Sequence, residues 1–276
     1  MTPSLDLIQE GARTLAAARV HRPEWTAEHL LAERLGCLPV DLYASAPAIE
    51  LEKSFQYRAD VAARAGGVPL QYLLGTADFY GRRFAVGPGV FNPRPETEIL
   101  VETALELLKG PATVADVGTG SGAIAVTLVK ESPKLKLIAV ERSDVALHFA
   151  RRNAATHGCG IRFLQGDLLE GFALESLDAI VANPPYLDPE QSAAWPRELA
   201  WEPWLALDGG EEGMEVAAKL IQQAARVLKP SGWMALEIGM EQAAGIRKLA
   251  ERNSFRVDRI VQDLTGLDRV AVLWKS

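Results

Sequence analysis

The sequence predicts an α/β fold, a mostly parallel sheet covered by helices on both faces, with a small helical bundle and a β-hairpin in front of it. Three observations predict it. From about residue 98 onward, short apolar runs alternate with helical periods, the pattern of strands buried on both faces and joined by helical crossovers. A glycine-rich segment, ADVGTGSGAIAV (115–126), stands where the first of those strands turns into a helix. Residues 1–75, by contrast, carry helical periodicity broken by polar stretches. The expected domains are therefore a helical domain at 1–75, a hairpin linker at 76–94 and the α/β domain at 95–276.

Each element has its own signal. In SLDLIQEGARTLAAARV, Leu5, Ile8, Ala12, Leu15 and Ala16 follow the stripe of an amphipathic helix. PEWTAEHLLAERLG opens at Pro23 to Thr26 and stops at Gly36, a start and a stop signal. IELEKSFQYRADVAARAGG supplies a further helix. The charged outer faces read most simply as solvated, with a partner-docking surface as the other reading. In TADFYGRRFAVGPGVFNPRPETE the pattern changes to short aromatic and β-branched segments broken at Gly81, Gly87, Pro88 and Gly89, which predicts a hairpin. TEILVETALELLK is a helix, and seven strands follow: ATVADVG, KLKLIAVE, IRFLQGD, LDAIVANPP, GWMALEIG, FRVDRIVQD and DRVAVLWK. No helix separates the last two strands, so they are expected to pair antiparallel at one edge of the sheet.

Composition narrows the function classes. Of 276 residues, 48% are hydrophobic and 24% charged, ordinary values for a globular chain. The net charge of −7 argues against a broad basic surface for phosphate backbones. Cys37 and Cys159 lie far apart, and His21, His29, His148 and His157 stand at no zinc-ligand interval, so two reduced thiols and no metal are expected. No apolar stretch reaches the roughly 18 residues of a membrane span, and the first residues lack a basic segment followed by an apolar signal core. The expectation is a cytoplasmic protein, with monomer as the default state.

In the glycine segment, Gly118, Gly120 and Gly122 permit unusual dihedrals and close approach of a ligand to the main chain, while amides at the helix start offer donors. A nucleotide-like cofactor fits, although Gly118, Gly120 and Ala123 also satisfy a loose dinucleotide fingerprint, and a tight turn without ligand is the plain alternative. Glu141 ends the second strand, where a carboxylate accepts from ribose hydroxyls. Asp167, after the third strand, can receive an adenine amino group or simply cap its loop. Both acids fall at the carboxyl ends of parallel strands, where ligands of open α/β sheets bind.

VANPPYLD (181–188) follows the fourth strand. Its prolines donate no main-chain hydrogen bond and keep the loop stiff and extended. The Asn183 side-chain oxygen and the Pro184 carbonyl can receive both hydrogens of a planar –NH2 group, with the Tyr186 ring packed on its face. Such a nitrogen is a poor nucleophile because its lone pair is delocalised, and two acceptors favour its change to tetrahedral geometry as it meets an electrophile.

Taken together, DVGTGSGAIAV, Glu141, Asp167 and NPPY resemble the class I methyltransferases that use S-adenosylmethionine and modify a planar nitrogen. PLQYLLGTADFYGRRFAV, NPRPETEILVE, NPPY, WEPWLALDGGEEGM and DLTGLDRVAVL narrow the resemblance to the peptide chain release factor glutamine N5-methyltransferases, the PrmC/HemK family. The resemblance runs from about residue 68 to the end, and the N-terminal bundle agrees in size and helical character. It implies a Rossmann-like seven-stranded sheet with an antiparallel edge strand, S-adenosyl-L-methionine as cofactor, class 1 release factors as partners, and the glutamine of their Gly-Gly-Gln loop as substrate. It also implies that Gly118, Thr119, Gly120, Ser121 and Gly122 hold the methionine part of the cofactor, Glu141 the ribose, and Asp167 with Leu168 the adenine surroundings. Asn183, which also borders the cofactor, Pro184, Pro185 and Tyr186 would hold the glutamine amide, while NPRPETE covers the cofactor through Arg94, Thr97 and Glu98. Members usually carry an aliphatic residue where Asn92 stands.

The rival readings are a DNA adenine or ribosomal RNA guanine methyltransferase, for which the charge offers no reading face, and an NAD-dependent dehydrogenase, which leaves NPPY without a task. Trp195, Trp201 and Trp204 are either a wall against a substrate protein or anchors for the loop at 187–211. EEGMEVA reads as a helix start with acids at its positive end. The bundle and hairpin together are a candidate docking cleft for the release factor.

Overall fold

The structure, a computed structural model, describes residues 1–276. The chain forms two compact units, Met1–Thr76 with Pro196–Trp201, and Ala77–Trp195 with Glu202–Ser276.

In the first unit a two-residue strand β1 (Thr2–Pro3) leads into α1 (Ser4–Ala17), α2 (Pro23–Leu35) and α3 (Pro39–Ala44); β2 (Ala48–Ile49) then pairs with β1, and α4 (Leu51–Ala65) and α5 (Leu70–Leu74) complete it. Of the predicted apolar stripe of α1, Ile8, Ala12 and Leu15 turn inward and, with Leu7, pack with Leu30, Leu31, Leu42 and Tyr57, whereas Leu5 and Ala16 are exposed. Tyr57 crosses the bundle and donates its hydroxyl to the Leu7 carbonyl at 3.1 Å. Gly11 makes room for it, since a Cβ there would meet that hydroxyl at 2.1 Å. Ion pairs Arg34–Asp60 and Arg58–Glu10 tie α2 and α1 to α4. Arg64, itself buried, bonds Glu198 at 2.5 Å and so holds the 196–201 segment in this unit.

The second unit opens within the hairpin β3 (Thr76–Phe79) and β4 (Arg82–Ala85), at Ala77. Tyr80 and Gly81, its two turn residues, both have positive φ, as the hairpin turn that matches strand twist requires. Then come α6 (Glu98–Leu107), β5 (Thr113–Val117), α7 (Ala123–Glu131), β6 (Lys136–Glu141), α8 (Asp144–Thr156), β7 (Arg162–Gln165), β8 (Leu177–Ala182), α9 (Glu215–Val227), β9 (Leu228–Glu237), α10 (Ala243–Arg252), β10 (Phe255–Gln262) and β11 (Asp268–Lys275). The seven-stranded sheet has the order β10-β11-β9-β8-β5-β6-β7.

Alternation along the strands supplies two cores, because successive side chains leave opposite faces. Val114, Ala179 and Val181 face α6 and α7 with Leu100, Ile124 and Leu128. Ala115, Ile180 and Ala182 face α9 and α10 with Leu220, Ile221 and Ile246. The last two strands pair antiparallel as expected, but the final strand is not the edge. β11 inserts between β9 and β10 and runs antiparallel to both. The edge falls to β10, whose exposed Arg256 and Arg259 discourage edge-to-edge pairing.

Candidate active site

The carboxyl ends of the neighbouring strands β9, β8, β5 and β6 lie side by side, and each brings a polar side chain there: Glu237, Asn183, Asp116 and Glu141. Behind β5, Gly118, Gly120 and Gly122 have φ of 73°, 55° and 80°. The amides of Gly118 and Thr119 both donate to the Val140 carbonyl of β6, at 2.9 and 3.0 Å, which pins the loop. Gly122 packs so close to α8 that a Cβ would meet Ala150 Cα at 3.1 Å. In front of Gly118 and Gly120 an added Cβ would find nothing nearer than 4.0 Å, and for Gly118 that neighbour is the Asn183 carbonyl. The loop is thus pinned behind and open toward Asn183.

Three acids surround this opening. Glu141 Oε2 accepts from the Gly120 amide at 2.9 Å, and its Oε1 from Arg142 and Ser143. A carboxylate has about four lone-pair sites, and these three bonds leave one of them, on Oε2, for a further donor. Asp116, fully buried, takes the Thr119 hydroxyl at 2.5 Å, while its Oδ1 has no partner. Burial pushes its carboxyl up to about 7 against the pull of Thr119 and the Ala125 amide. Glu237, at the end of β9, is 3% exposed, and its Oε2 also lacks a partner. Burial raises it to about 7, against the donors of Thr97 and Asn183 and the charge of Arg269.

Asn183 Nδ2 donates to Thr97 Oγ1 at 3.1 Å. Pro184 is buried, and Pro185 and Tyr186 are half-buried. Burial, with Glu237 nearby, raises the Tyr186 hydroxyl well above its ordinary value, which leaves a neutral ring for packing. Gly213 lies against the loop, for a Cβ there would meet the Tyr186 carbonyl at 2.1 Å. Gln242 Nε2 donates to that carbonyl at 3.1 Å and to Gly213 at 3.0 Å. Beyond it, Leu187 bonds Leu207 and Gly209.

Of the residues expected from NPRPETE, Thr97 bonds Asn183, whereas Arg94 and Glu98 bond elsewhere. Arg94 pairs with the buried Glu202 and lies over the Phe91 ring at 4.9 Å. Glu98 accepts from the Tyr80 amide of the hairpin at 2.7 Å. Asn92 joins the Glu202 group, donating from its backbone at 3.2 Å and its side chain at 3.4 Å, which accounts for a polar residue in a buried place. Asp167 pairs with Lys219 of α9 at 2.5 Å, and Leu168 has a φ of 50°. The tryptophans divide: Trp195 stacks on Trp204 at 5.4 Å, and Trp201 lies with the bundle unit beside Gly67. The EEGMEVA helix begins only at Glu215, after a short 3-10 turn at Glu211–Gly213.

Asp116, Glu237, Gln242, Asn153 and Glu202 escaped sequence reasoning. Glu237 had a signal, because an acid ending a parallel strand is the reason for singling out Glu141.

Comparisons with known proteins bear on this arrangement. The methyltransferase small domain matches residues 82–198 and the PrmC N-terminal domain residues 6–75. Relatives named release factor glutamine methyltransferase are found in Moorella thermoacetica, 38% identical over 96% of this chain and 96% of that one, and in Koribacter versatilis, 41% identical over 94% and 93%. The chain belongs to the release factor glutamine methyltransferase family. Solved methyltransferases share the fold over about two thirds of the chain or more. One from Pyrococcus furiosus has a TM-score of 0.55 at 21% identity, covering 71% of this chain and 89% of that one. A ribosomal protein L11 methylase from Lactobacillus delbrueckii subsp. bulgaricus has 0.52 at 25%, covering 69% and 84%. No helix of this methyltransferase is long and apolar enough to cross a membrane.

Proposed function

We propose that this methyltransferase transfers a methyl group from S-adenosylmethionine to the side-chain amide nitrogen, N5, of the glutamine in the Gly-Gly-Gln loop of class 1 release factors. The observation that carries this reading is the state of Asn183: its Nδ2 is bonded to Thr97, so its oxygen is the group left for a substrate –NH2. The nucleic-acid alternatives gain nothing from the family or from the net charge of −7.

The residues fit the cofactor. The open face at Gly118 and Gly120 and the acceptor site left on Glu141 suit a ligand that lays a ribose hydroxyl beside the glycine loop. Asp167 and Leu168 would border the adenine, with Asp167 keeping its second oxygen free of Lys219. S-adenosylmethionine, when bound, supplies an electrophilic methyl on sulfonium sulfur, and the sulfur keeps the C–S electron pair as the methyl leaves. The chain's part is to orient the amide and localise its lone pair. The Asn183 oxygen and Pro184 carbonyl take the two N–H groups, Tyr186 holds the amide plane, and once the N–C bond has formed the now acidic N–H gives its proton to solvent water, leaving the neutral N-methyl amide. Alignment and fixed dipoles of this kind supply large rate factors without a strong base.

Mass spectrometry of a release factor incubated with enzyme and cofactor tests the reading, with a Gln→Ala change in its Gly-Gly-Gln loop as control. One methyl on that glutamine is expected, and its absence with cofactor bound would overturn the assignment. Asn183→Ala is expected to abolish transfer with little effect on cofactor binding, while Asp167→Ala weakens cofactor binding. Calorimetry on both variants checks this, and the reverse pattern would defeat it.

A further inference from the structure

An asparagine amide is nearly symmetric in shape, yet only its oxygen can receive a substrate –NH2. Turned by half a rotation, Asn183 would present its own –NH2 to that of the substrate. Something must break the symmetry. Nδ2 donates to Thr97 Oγ1 at 3.1 Å, and a hydroxyl that accepts there has its own hydrogen free to donate onward. Glu237 lies where that hydrogen can go. It ends β9 beside the end of β8, where Ala182 pairs with Leu236, so Glu237 and Asn183 are the next residues on adjacent strands. Thr97 and Asn183 both offer donors that favour its ionised form. No other task in the site uses this acid, although an unpaired buried carboxylate oxygen is costly to keep.

Resting on the function proposed above, we infer that Glu237 is a positioning residue: with Thr97 it holds the Asn183 amide nitrogen turned inward and its oxygen toward the substrate. An ionised carboxylate only accepts, so it tolerates donors and repels the amide oxygen. A protonated one can donate, and the constraint is lost. The groups that set its ionisation are Thr97 and Asn183, Arg269 of β11, Glu96 of the turn before α6, and the Tyr186 ring on the loop after β8. Its carboxyl is held at about 7, so the constraint should strengthen as pH rises through neutrality.

The test uses the intact enzyme. Glu237→Gln should lower kcat about 10- to 100-fold, the size of one lost buried hydrogen bond to a charged group. The Kd for S-adenosylhomocysteine should stay within about threefold of wild type. The rise of kcat with pH should vanish in that variant. Thr97→Ser should keep activity where Thr97→Val loses it, because the hydroxyl and not the volume is needed. A second readout needs no substrate. The side-chain amide NMR signals of Asn183 in the wild type should shift with pH around a midpoint near 7, and in Glu237→Gln they should not. Asn183 signals that ignore pH in the wild type would overturn the inference even if Glu237→Gln failed to fold. So would a Glu237→Gln enzyme with wild-type kcat and pH profile. Failure of the wild type to methylate a release factor would sink the proposed function instead, and the NMR titration would still decide the role of Glu237.

Discussion

Gly213 shows how closely single residues constrain the site. Its φ of 68° and the 2.1 Å approach of a would-be Cβ to the Tyr186 carbonyl leave no room for any side chain. Gly213→Ala is expected to cost roughly 1–3 kcal/mol from overpacking and a further 1–2 kcal/mol from the left-handed backbone. Because the displaced group is the NPPY loop, activity should fall further than stability. Thermal melts and kcat on the same preparation check this, and a variant with normal turnover would show that the loop does not need that support. At this scale the glycine loop and NPPY were legible, because glycine and proline act through their own backbones. Gln242 and Glu202 were not: each works by reaching a partner far along the chain, Tyr186 for one and Asn92 with Arg94 for the other.

The elements are joined by a few side chains whose role is invisible in periodicity. Asn153, buried on α8, donates to Ser121 in the glycine loop at 2.8 Å and to Ala85 of β4 at 3.0 Å, and accepts from the Ala85 amide at 2.7 Å. One helix thereby holds both the hairpin and the cofactor loop. Asn153→Ala should leave these backbone groups unpaired and destabilise the protein by about 2–4 kcal/mol, given 1–3 kcal/mol for each buried group not rescued by water. The Ala85 amide should then lose protection in hydrogen exchange, and unchanged protection would refute the clamp. The helix was predictable from its pattern, and Ser143 caps it through the Ala146 amide. The place of β11 was not. Apolar alternation says that a strand is buried, but β10 and β11 could have followed β9 in either order, and only the pairing of β11 with both β9 and β10 distinguishes them.

For the whole molecule, buried acids whose carboxyls are raised, Asp116, Glu237 and Glu202, make the stability depend on pH. Asp116 and Glu237 are both raised to about 7 from ordinary carboxylate values, so the folded state binds protons more tightly than the unfolded chain does. Their contribution to stability is fully present below the unfolded values and is lost as pH rises through about 7. The apo enzyme should therefore melt lower at pH 8 than at pH 5.5, by an energy on the order of a few kcal/mol. Asp116→Asn and Glu237→Gln should each flatten that slope in a melting series, and equal slopes in all three proteins would show that neither acid is held neutral.

Short stretches of chain encode the helical first segment, the alternation of strands and helices, the glycine turn, the stiff Asn-Pro-Pro-Tyr loop and the family resemblance. Hydrophobic period and backbone chemistry are local properties, so they read directly. Long-range packing makes β11 an inner strand, places 196–201 with the bundle, and brings Asn183, Thr97 and Glu237 together. Those outcomes depend on which strand ends lie side by side, and adjacency across a sheet is settled by the packing of the whole core rather than by any one stretch of chain.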